Sequence, residues 1–405
     1  MIRIFVSILL IIHAFIHLMG SLKEWNFSIA RNFTIKPSII LSDLGPKGVG
    51  LIWFLCAVGI ISSLLLFILR KRWWIVGAVS LIISQSLIIL YWEHAKYGTL
   101  VNVVILIAIV LSYHKEKFNL LVKNEIDGLM NAQVIERQTT ITLESLTYLP
   151  PVVQKWLVRS NIVGKEKIRT IRLKQKGLLR SKPEGKWMSM QAEQHIITEP
   201  AGFIWKAKID PGYFMTINGR DKFEHGKGHM LIKAANMITV ADSEGSQIDQ
   251  GAMMRYLAEI MWSPTAALNK NIRWEYVNDT SARAVLVDGD KTVSGLFLFD
   301  RNGDVVGFEG KRYGDFNDLY SLETWAVEVK GYQDFHGVRI ANKSEVTWKL
   351  KTGDFTWLKI EVTDIDFNFN ASFETAQSTS IKFSDSNLNK GKLFFYAKSI
   401  TGITG

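Results

Sequence analysis

The chain has 405 residues, one cysteine (Cys56) and a formal charge of +10, from 48 lysines and arginines against 38 aspartates and glutamates. A single cysteine excludes an intrachain disulfide framework and a multi-cysteine metal site. The basic residues alternate with acidic ones along predicted strands, which is typical of a solvated outer face with some attraction to anionic lipid headgroups. We therefore expect no nucleic-acid partner.

Residues 1–113 are mostly apolar and predict a four-span transmembrane region. The apolar runs are 2–19, 49–69, 73–92 and 97–113, each close to the roughly 20 residues that cross a bilayer. The first run could also be a signal peptide, but its end lacks the small-x-small cleavage pattern. Four membrane-spanning helices are therefore the prediction.

The positions of basic residues favour one orientation. Arg70 to Arg72 fill the link between the second and third runs, and Lys115 and Lys117 follow the fourth. Cytoplasmic loops are rich in such residues, so we expect both termini, and with them the rest of the chain, in the cytoplasm. Basic residues of the first loop oppose this: Lys23, Arg31, Lys36 and Lys47.

Polar side chains within or beside the apolar runs are candidate functional groups, because polar groups at membrane depth are unfavourable unless partnered. His13 and His17 are four apart and share one helix face, and Gln85, Glu93 and Asn102 occur in or between the last two runs. Hydrogen bonding that fixes the packing of the helices is the favoured explanation for them. Two histidines without a nearby carboxylate or cysteine provide too few ligands for a typical metal site, so no metal or cofactor is predicted.

Residues 114–165 predict a helical connector. The first part has charged and apolar residues at loose helical spacing. Pro151 then suits the first turn of a short helix, whose apolar face is formed by Val152, Val153, Trp156 and Leu157. We expect this helix to act as a lid or an end plug.

Residues 166–370 change to a period of two, which predicts antiparallel strands. Alternating apolar residues include Ile171 with Leu173, and Phe203 with Trp205. Asn-Gly and Asp-Gly pairs favour hairpin turns, and they occur at 218–219, 288–289 and 302–303. We predict about ten short strands in a mainly-β (α+β) domain, a curved antiparallel half-barrel, with residues 371–405 as a C-terminal tail.

One strong helical pattern interrupts these strands, and we predict a helix over 249–263. Met253, Tyr256, Leu257, Ile260 and Met261 fall on one stripe, which should be buried against the sheet. Asp249 is placed to cap the start, and Pro264 to stop the helix. Arg255 and Glu259 lie four apart on another face, as a weak surface ion pair.

Aromatic residues are dense on the apolar faces of the predicted strands, and a curved sheet lined by them encloses either a filled core or a lipid-sized cavity. A cavity of a few hundred cubic ångströms would favour ligand binding. The aromatic residues are Trp187, Phe203, Trp205, Phe214, Phe297, Phe299, Trp325, Trp348 and Trp357.

Three segments carry a resemblance to a known family: DSEGSQIDQGAMMRYLAEIMWSPTAAL, NDTSARAVLVDGDKTVSGLFLFDRNGDV and GYQDFHGVRIANKSEVTW. They resemble the uncharacterised bacterial DUF6920/DUF6544-like membrane proteins, as do IHAFIHLMGSLKEW and WEHAKYGTLVN in the apolar part. The strand-rich part is similar to LolA/LppX-like half-barrels that hold acyl chains. The resemblance implies a multi-pass protein of the bacterial inner membrane, and it implies no established activity.

Motifs for enzymatic chemistry are weak. The sequence lacks the G-x-S-x-G nucleophile elbow, the P-loop and the dinucleotide fingerprint. Glu224, His225 and His229 have a spacing that resembles a metal site, but glycines surround them in a strand-rich region. We predict no catalytic residue; the sequence favours a role other than catalysis and leaves enzymatic activity undecided.

Three hypotheses about function follow. In the first, the half-barrel binds a membrane lipid or another apolar small molecule, and Arg255 meets an acidic headgroup. The second is a membrane-anchored docking or scaffold protein with a solid core, and the third a metal or redox site at His13 and His17. For the first, the predicted ligand-binding residues are Arg255, Tyr256, Leu257, Ile260, Met261, Trp262, Phe203 and Trp205.

Overall fold

The computed structural model describes residues 2–30, 36–38, 45–133, 139–212, 215–316 and 319–369. The chain forms two compact units, Met1–Phe118 and Asn119–Gly405. Phe214, which was expected on an apolar strand face, and the predicted tail at 371–405 lie outside the described residues.

The helices of the first unit are long and apolar. Four of them are long and apolar enough to cross a membrane, which confirms the four predicted helices. Large apolar side chains such as Ile8, Leu55 and Ile82 are more than half exposed on their outer faces, while Leu10, Trp53 and other residues pack between them. The helices are α1 (Ile2–Glu24), α2 (Gly45–Ile68), α3 (Trp73–Leu90), the short α4 (Trp92–Ala95) and α5 (Gly98–Asn131), whose last residues belong to the second unit.

The second unit contains a single antiparallel sheet. Thirteen strands are described, in the order β6-β5-β4-β3-β2-β1-β13-β12-β11-β10-β9-β8-β7. The strands are β1 (Thr170–Leu179), β2 (Met188–Ile197), β3 (Gly202–Asp210), β4 (Ile217–Glu224), β5 (Lys227–Ala234), β6 (Ile238–Ser243), β7 (Ile272–Asn278), β8 (Ser281–Asp288), β9 (Lys291–Phe299), β10 (Val305–Asp315), β11 (Tyr320–Phe335), β12 (Val338–Leu350) and β13 (Gly353–Phe367).

The expected fold class is confirmed, but the predicted number of about ten strands was too low. The pair at 218–219 was predicted as a hairpin turn and instead lies inside β4, where it pairs with β3 and β5 on both sides. The turn falls at His225 and Gly226, which both have positive φ. Pairing on both edges of β4 outweighs the local preference of Asn-Gly for a turn.

Two meanders make up the sheet, β1–β6 and β7–β13, and they join where β1 pairs with β13. Between them the chain runs through α7 (Ser246–Glu259), followed by 3-10 turns at Ile260–Trp262 and Pro264–Leu268. Helix α7 contacts β4 and β5 of one meander and β8, β9 and β10 of the other. The sheet must therefore curve around the helix.

The helix differs from its prediction in two respects. It begins at Ser246, and Asp249 lies in the first turn instead of capping it. The Asp249 carboxylate accepts the Gly228 N–H of β5 at 2.8 Å and pairs with Lys291 at 2.5 Å. The predicted stripe is buried, but so are Ala252, Met254 and Ala258, because strands contact the helix on several sides.

A short helix, α6 (Pro151–Arg159), begins at the predicted proline and buries the four predicted apolar residues. Its Trp156 ring lies 6.0 Å from Phe297 and 6.2 Å from Trp274, between ring centroids. Phe297 in turn contacts Phe308 edge-on at 5.0 Å. Helix α6 therefore closes the β7–β10 end of the sheet with a solid aromatic core.

Close contact between α7 and β5 requires glycine at position 228, and this gives a first prediction. A Cβ atom there would lie 2.5 Å from the Ile248 carbonyl oxygen and 2.9 Å from the Ala252 Cβ. The backbone of α7 cannot move aside without a cost in free energy. We therefore expect Gly228→Ala to lower the free energy of unfolding by about 1–3 kcal/mol. The measurement is the thermal unfolding midpoint of the full-length protein in mild detergent.

The control is Gly219→Ala on the neighbouring strand, where the new Cβ would meet only Trp205, at 3.6 Å. That variant should unfold close to wild type. Equal midpoints for the two variants would show that α7 does not press on β5 as described.

Candidate functional site

A cavity of about 90 Å³ lies between α7 and the inner face of the sheet. A single water molecule needs a cavity of roughly 10–15 Å³, so this cavity holds several waters or a small apolar group. It is smaller than the few hundred cubic ångströms expected for a lipid-sized pocket. Its apolar walls include Met190, Trp205, Ile232, Met261, Trp262, Trp325, Val346 and Trp357.

The cavity and the solid core occupy different parts of the same sheet. Residues of β1–β5 and β10–β13 line the cavity, while the aromatic cluster around Phe297 fills the β7–β10 end. Of the aromatic residues found in the sequence, Trp205, Trp325 and Trp357 line the cavity, and Phe297 and Phe299 belong to the core. The sheet is therefore partly packed and partly open.

The structure brings together half of the predicted ligand-binding residues. Arg255, Met261, Trp262 and Trp205 line the cavity. Tyr256, Leu257, Ile260 and Phe203 are buried but do not line it.

The reason is helical spacing. Arg255, Ala258, Glu259 and Trp262 follow the i, i+3, i+4, i+7 pattern of one face, and that face points at the cavity. Tyr256 points away and donates its hydroxyl to the Thr198 carbonyl oxygen at 3.3 Å. The apolar stripe packs into the core except at Met261, and the charged face of α7 lines the cavity.

Arg255 is fully engaged by neighbouring polar groups. Its Nη1 donates to Asp221 at 2.6 Å, its Nε to Glu259 at 2.6 Å and its Nη2 to Gln194 at 3.1 Å. Gln194 also donates to the second oxygen of Glu259 at 2.5 Å. Arg255 and Glu259 form the predicted i, i+4 ion pair, but its predicted position at the surface is wrong, because both side chains are only 12–13% exposed.

Burial alone would lower the pKa of Arg255, but the Glu259 and Asp221 carboxylates raise it above its ordinary value. The guanidinium also lies over the rings of Phe203 and Trp205, at 4.7 and 5.0 Å from their centroids. Asp242 of the edge strand β6 is not part of this cluster and pairs with His229 at 2.7 Å.

A second buried arginine, Arg312, was missed in the sequence. It lies on β10 and lines the cavity with 4% of its surface exposed. Its Nε donates to the Gly251 carbonyl oxygen at 3.0 Å, and its guanidinium lies 4.9 Å from the Trp325 ring centroid. Burial lowers the pKa of Arg312 to about 10, so the side chain is charged at neutral pH.

The position of Arg312 on its strand could have indicated from the sequence that its side chain is buried. Arg312 has the same parity on β10 as the buried Phe308, and residues of equal parity share a face of a strand.

The polar residues of the first unit form a hydrogen-bonded network. His13 and His17 each place Nε2 next to the Ser84 hydroxyl, at 3.0 and 2.8 Å, and the two Nε2 atoms are 3.3 Å apart. Ser84 donates to Asn102 at 3.1 Å, and Asn102 donates to Gln85 at 3.0 Å.

Glu93 is outside the network and exposed. Among the described residues, no group of three or more histidines, cysteines or acidic residues is placed to hold a metal ion. The Glu224, His225 and His229 set lies on the β4–β5 hairpin, where the His229 ring contacts Arg220 at 3.0 Å.

The fold and site define a class: four helices able to cross a membrane, joined to an antiparallel sheet that is curved around a buried helix and a cavity. The model of the family of unknown function DUF6920 matches residues 147–367. The chain belongs to this family, as its sequence segments indicated.

Comparison with solved structures finds similar architectures in distant proteins. A DUF1329 family protein from Desulfovibrio piger has 12% identity and a TM-score of 0.32, over 56% of this chain and 98% of its own. A LolA superfamily protein from Nitrosomonas europaea has 12% identity and a TM-score of 0.26, over 57% and 96%. At these TM-scores the matches carry no argument about ligand or activity. No curated protein matches the sequence.

Replacing Arg255 should destabilise the second unit. We expect Arg255→Met to lower the free energy of unfolding by about 3–5 kcal/mol, because it leaves the Asp221 and Glu259 carboxylates buried without a cation. Urea denaturation followed by tryptophan fluorescence measures this.

A matched control is Lys123→Ala, which removes an exposed ion pair with Asp127 at the same i, i+4 spacing. It should change the free energy of unfolding by less than about 0.5 kcal/mol. A similarly small effect of Arg255→Met would show that the Arg255 cluster does not support the fold.

The histidine network should stabilise the helices of the first unit. Ser84→Ala removes the hydroxyl that contacts both histidines, and we expect a loss of about 1 kcal/mol in unfolding by a denaturing detergent. Ser86→Ala is the control, since Ser86 is exposed and bonds only to the Ile82 carbonyl of its own helix. If the two variants unfold at the same detergent concentration, the hydrogen bonds of Ser84 do not hold the helices together.

Proposed function

We propose that the second unit binds a lipid or another apolar ligand in the cavity beside α7, tethered to the bacterial inner membrane by α1, α2, α3 and α5. The observation that carries this proposal is the cavity itself. The same sheet packs its β7–β10 end solidly with aromatic rings, yet leaves an apolar space where β1–β5 and β10–β13 face α7.

An unfilled cavity lowers the stability of a folded protein, so its presence calls for an explanation. At about 24 cal/mol per Å³, an empty space of about 90 Å³ costs on the order of 2 kcal/mol relative to close packing. A ligand that binds only the folded protein would offset this. The aromatic cluster at the other end shows that this sheet can be filled by its own side chains.

Cavity size limits what is enclosed. An engineered apolar cavity of about 150 Å³ binds benzene, so about 90 Å³ takes a small molecule or one end of a longer one. A lipid would therefore place only a part of itself beside α7.

Membrane attachment is supported by the exposed apolar side chains of the first unit. Ile8, Leu55 and Ile82 are more than half exposed, which is favourable in lipid and unfavourable in water. The basic residues at 70–72 support a cytoplasmic position for the rest of the chain.

Filling the cavity should abolish ligand binding. Ala258 lines it from α7, so Ala258→Leu places a larger side chain in the space. We expect native mass spectrometry of the full-length wild type in mild detergent, with extraction of bound molecules, to find an apolar molecule at one per chain. The Ala258→Leu protein should lack it.

Ser246→Leu adds the same side chain at the exposed start of α7 and should retain the molecule. Comparing the two variants also separates a cavity ligand from lipid held around the spans. Identical sets of bound molecules in all three proteins would overturn the proposal and favour a docking protein.

A further inference from the structure

Arg312 is a buried cation with unused hydrogen-bond donors at the cavity wall. Guanidinium carries five N–H donors, and the only hydrogen bond of Arg312 within the described residues runs from Nε to the Gly251 carbonyl oxygen. Among those same residues no carboxylate lies within ion-pair distance of it, although Asp221 and Glu259 act on it from farther away. The donors on Nη1 and Nη2 are therefore available to a ligand.

Arg255, another arginine at the cavity wall, is not available in the same way. Each of its three nitrogens already donates to a carboxylate or amide oxygen. A ligand that bound Arg255 would have to displace Asp221, Glu259 or Gln194, and leave a buried group unpaired. Arg312 is therefore the better-placed cation.

Other cavity-lining side chains add unpartnered donors. The indole Nε1 atoms of Trp325 and Trp357 are buried, and neither has a hydrogen-bond partner among the described residues; the same holds for the Ser344 hydroxyl. All three side chains line the cavity. Buried donors are nearly always satisfied, so this wall has more donors than its own acceptors can serve.

We infer that the cavity ligand carries an oxyanion, a carboxylate or a phosphate on an apolar body, and that Arg312 binds this group. This rests on the proposed function. An oxyanion supplies the acceptor oxygens that the wall lacks, and guanidinium binds such groups through two parallel hydrogen bonds. The apolar remainder of the ligand meets Met261, Trp262 and Ile360.

Three arginines and two carboxylates line the cavity, and two of these arginines are already paired. Arg220 pairs with Glu125 at 3.0 Å, and Arg255 pairs with both cavity carboxylates. An oxyanion can therefore bind at Arg312 without displacing an existing ion pair.

Three radiolabelled probes with the same chain test this: octanoate, octyl phosphate and octanol. Binding to the full-length protein in mild detergent is measured by scintillation proximity, with the Ala258→Leu protein as the blank for uptake by detergent. We expect wild type to bind octanoate or octyl phosphate about tenfold or more tightly than octanol, the size of effect given by a charge-assisted hydrogen bond. The tighter of the two anions identifies a free acid or a lipid phosphate as the source.

Arg312→Gln should reduce the preference for the anion over octanol to about twofold or less, because it weakens binding of the anion more than binding of octanol. Arg312→Lys keeps the charge without the planar fork, so it should keep part of the preference, and it serves if the glutamine variant does not fold. Arg180→Gln is the matched control, since Arg180 also lies over an aromatic ring, Trp187, at 4.6 Å, but does not line the cavity.

The outcomes separate the two proposals. Binding of no probe above the Ala258→Leu blank would remove the proposed function. Equal binding of octanol and both anions by wild type would leave apolar ligand binding in place and overturn the role of Arg312. An anion preference that persists in both Arg312 variants would also overturn it.

Discussion

The structure of the second unit depends on one constraint: helix α7 is buried on more than one side, so the sheet has to reach around it. A helix lying on a flat sheet would keep a polar face in water, whereas α7 contacts strands of both meanders. Pairing of β1 with β13 makes this possible, because it joins the meanders into one surface. The edge strands β6 and β7 are then connected through α7 itself.

Enclosure of α7 explains why its charged face is buried as well. Arg255 and Glu259 occupy the side of the helix that lacks a close-packed neighbour. Removing these charges from water is unfavourable, and pairing them with Asp221 and Gln194 only compensates. A buried ion cluster of this kind is a poor way to gain stability, since apolar residues of similar volume often do as well. The cluster instead fixes Arg255 at the cavity wall, and it leaves Arg312 as the cation that the proposed ligand can reach.

Much of the architecture could be predicted from periodicity. The apolar runs of the first unit and the alternation around residues such as Phe203 and Trp205 reflect burial of one face, and burial leaves a direct trace in sequence. The start of α6 followed from Pro151, whose ring fits the first turn of a helix. The turn predicted at Asn218 and Gly219 was wrong because β4 pairs with strands on both sides. That pairing is not local in sequence, and it outweighs the local preference of Asn-Gly for a turn.

The candidate site was harder to predict, for a physical reason. An apolar stripe on α7 was assumed to face the ligand, so Tyr256, Leu257 and Ile260 were chosen. The apolar stripe instead packs in the core, and Arg255 and Ala258 face the cavity. Which face meets a cavity depends on where a curved sheet fails to touch the helix, and no pattern within the helix records that.

Buried polar groups occur in both units, and they differ in their surroundings. In the first unit, the Nε2 atoms of His13 and His17 bond to Ser84 across helices, as expected for groups that hold helices together in lipid, while both Nδ1 atoms are buried without a partner among the described residues. At the cavity, Nη1 and Nη2 of Arg312 and the indole nitrogens of Trp325 and Trp357 also lack partners within the described part of the chain, and these three side chains line one apolar space. A cation and two further donors around one apolar space suit an amphiphilic oxyanion. For that reason we propose the ligand site in the second unit.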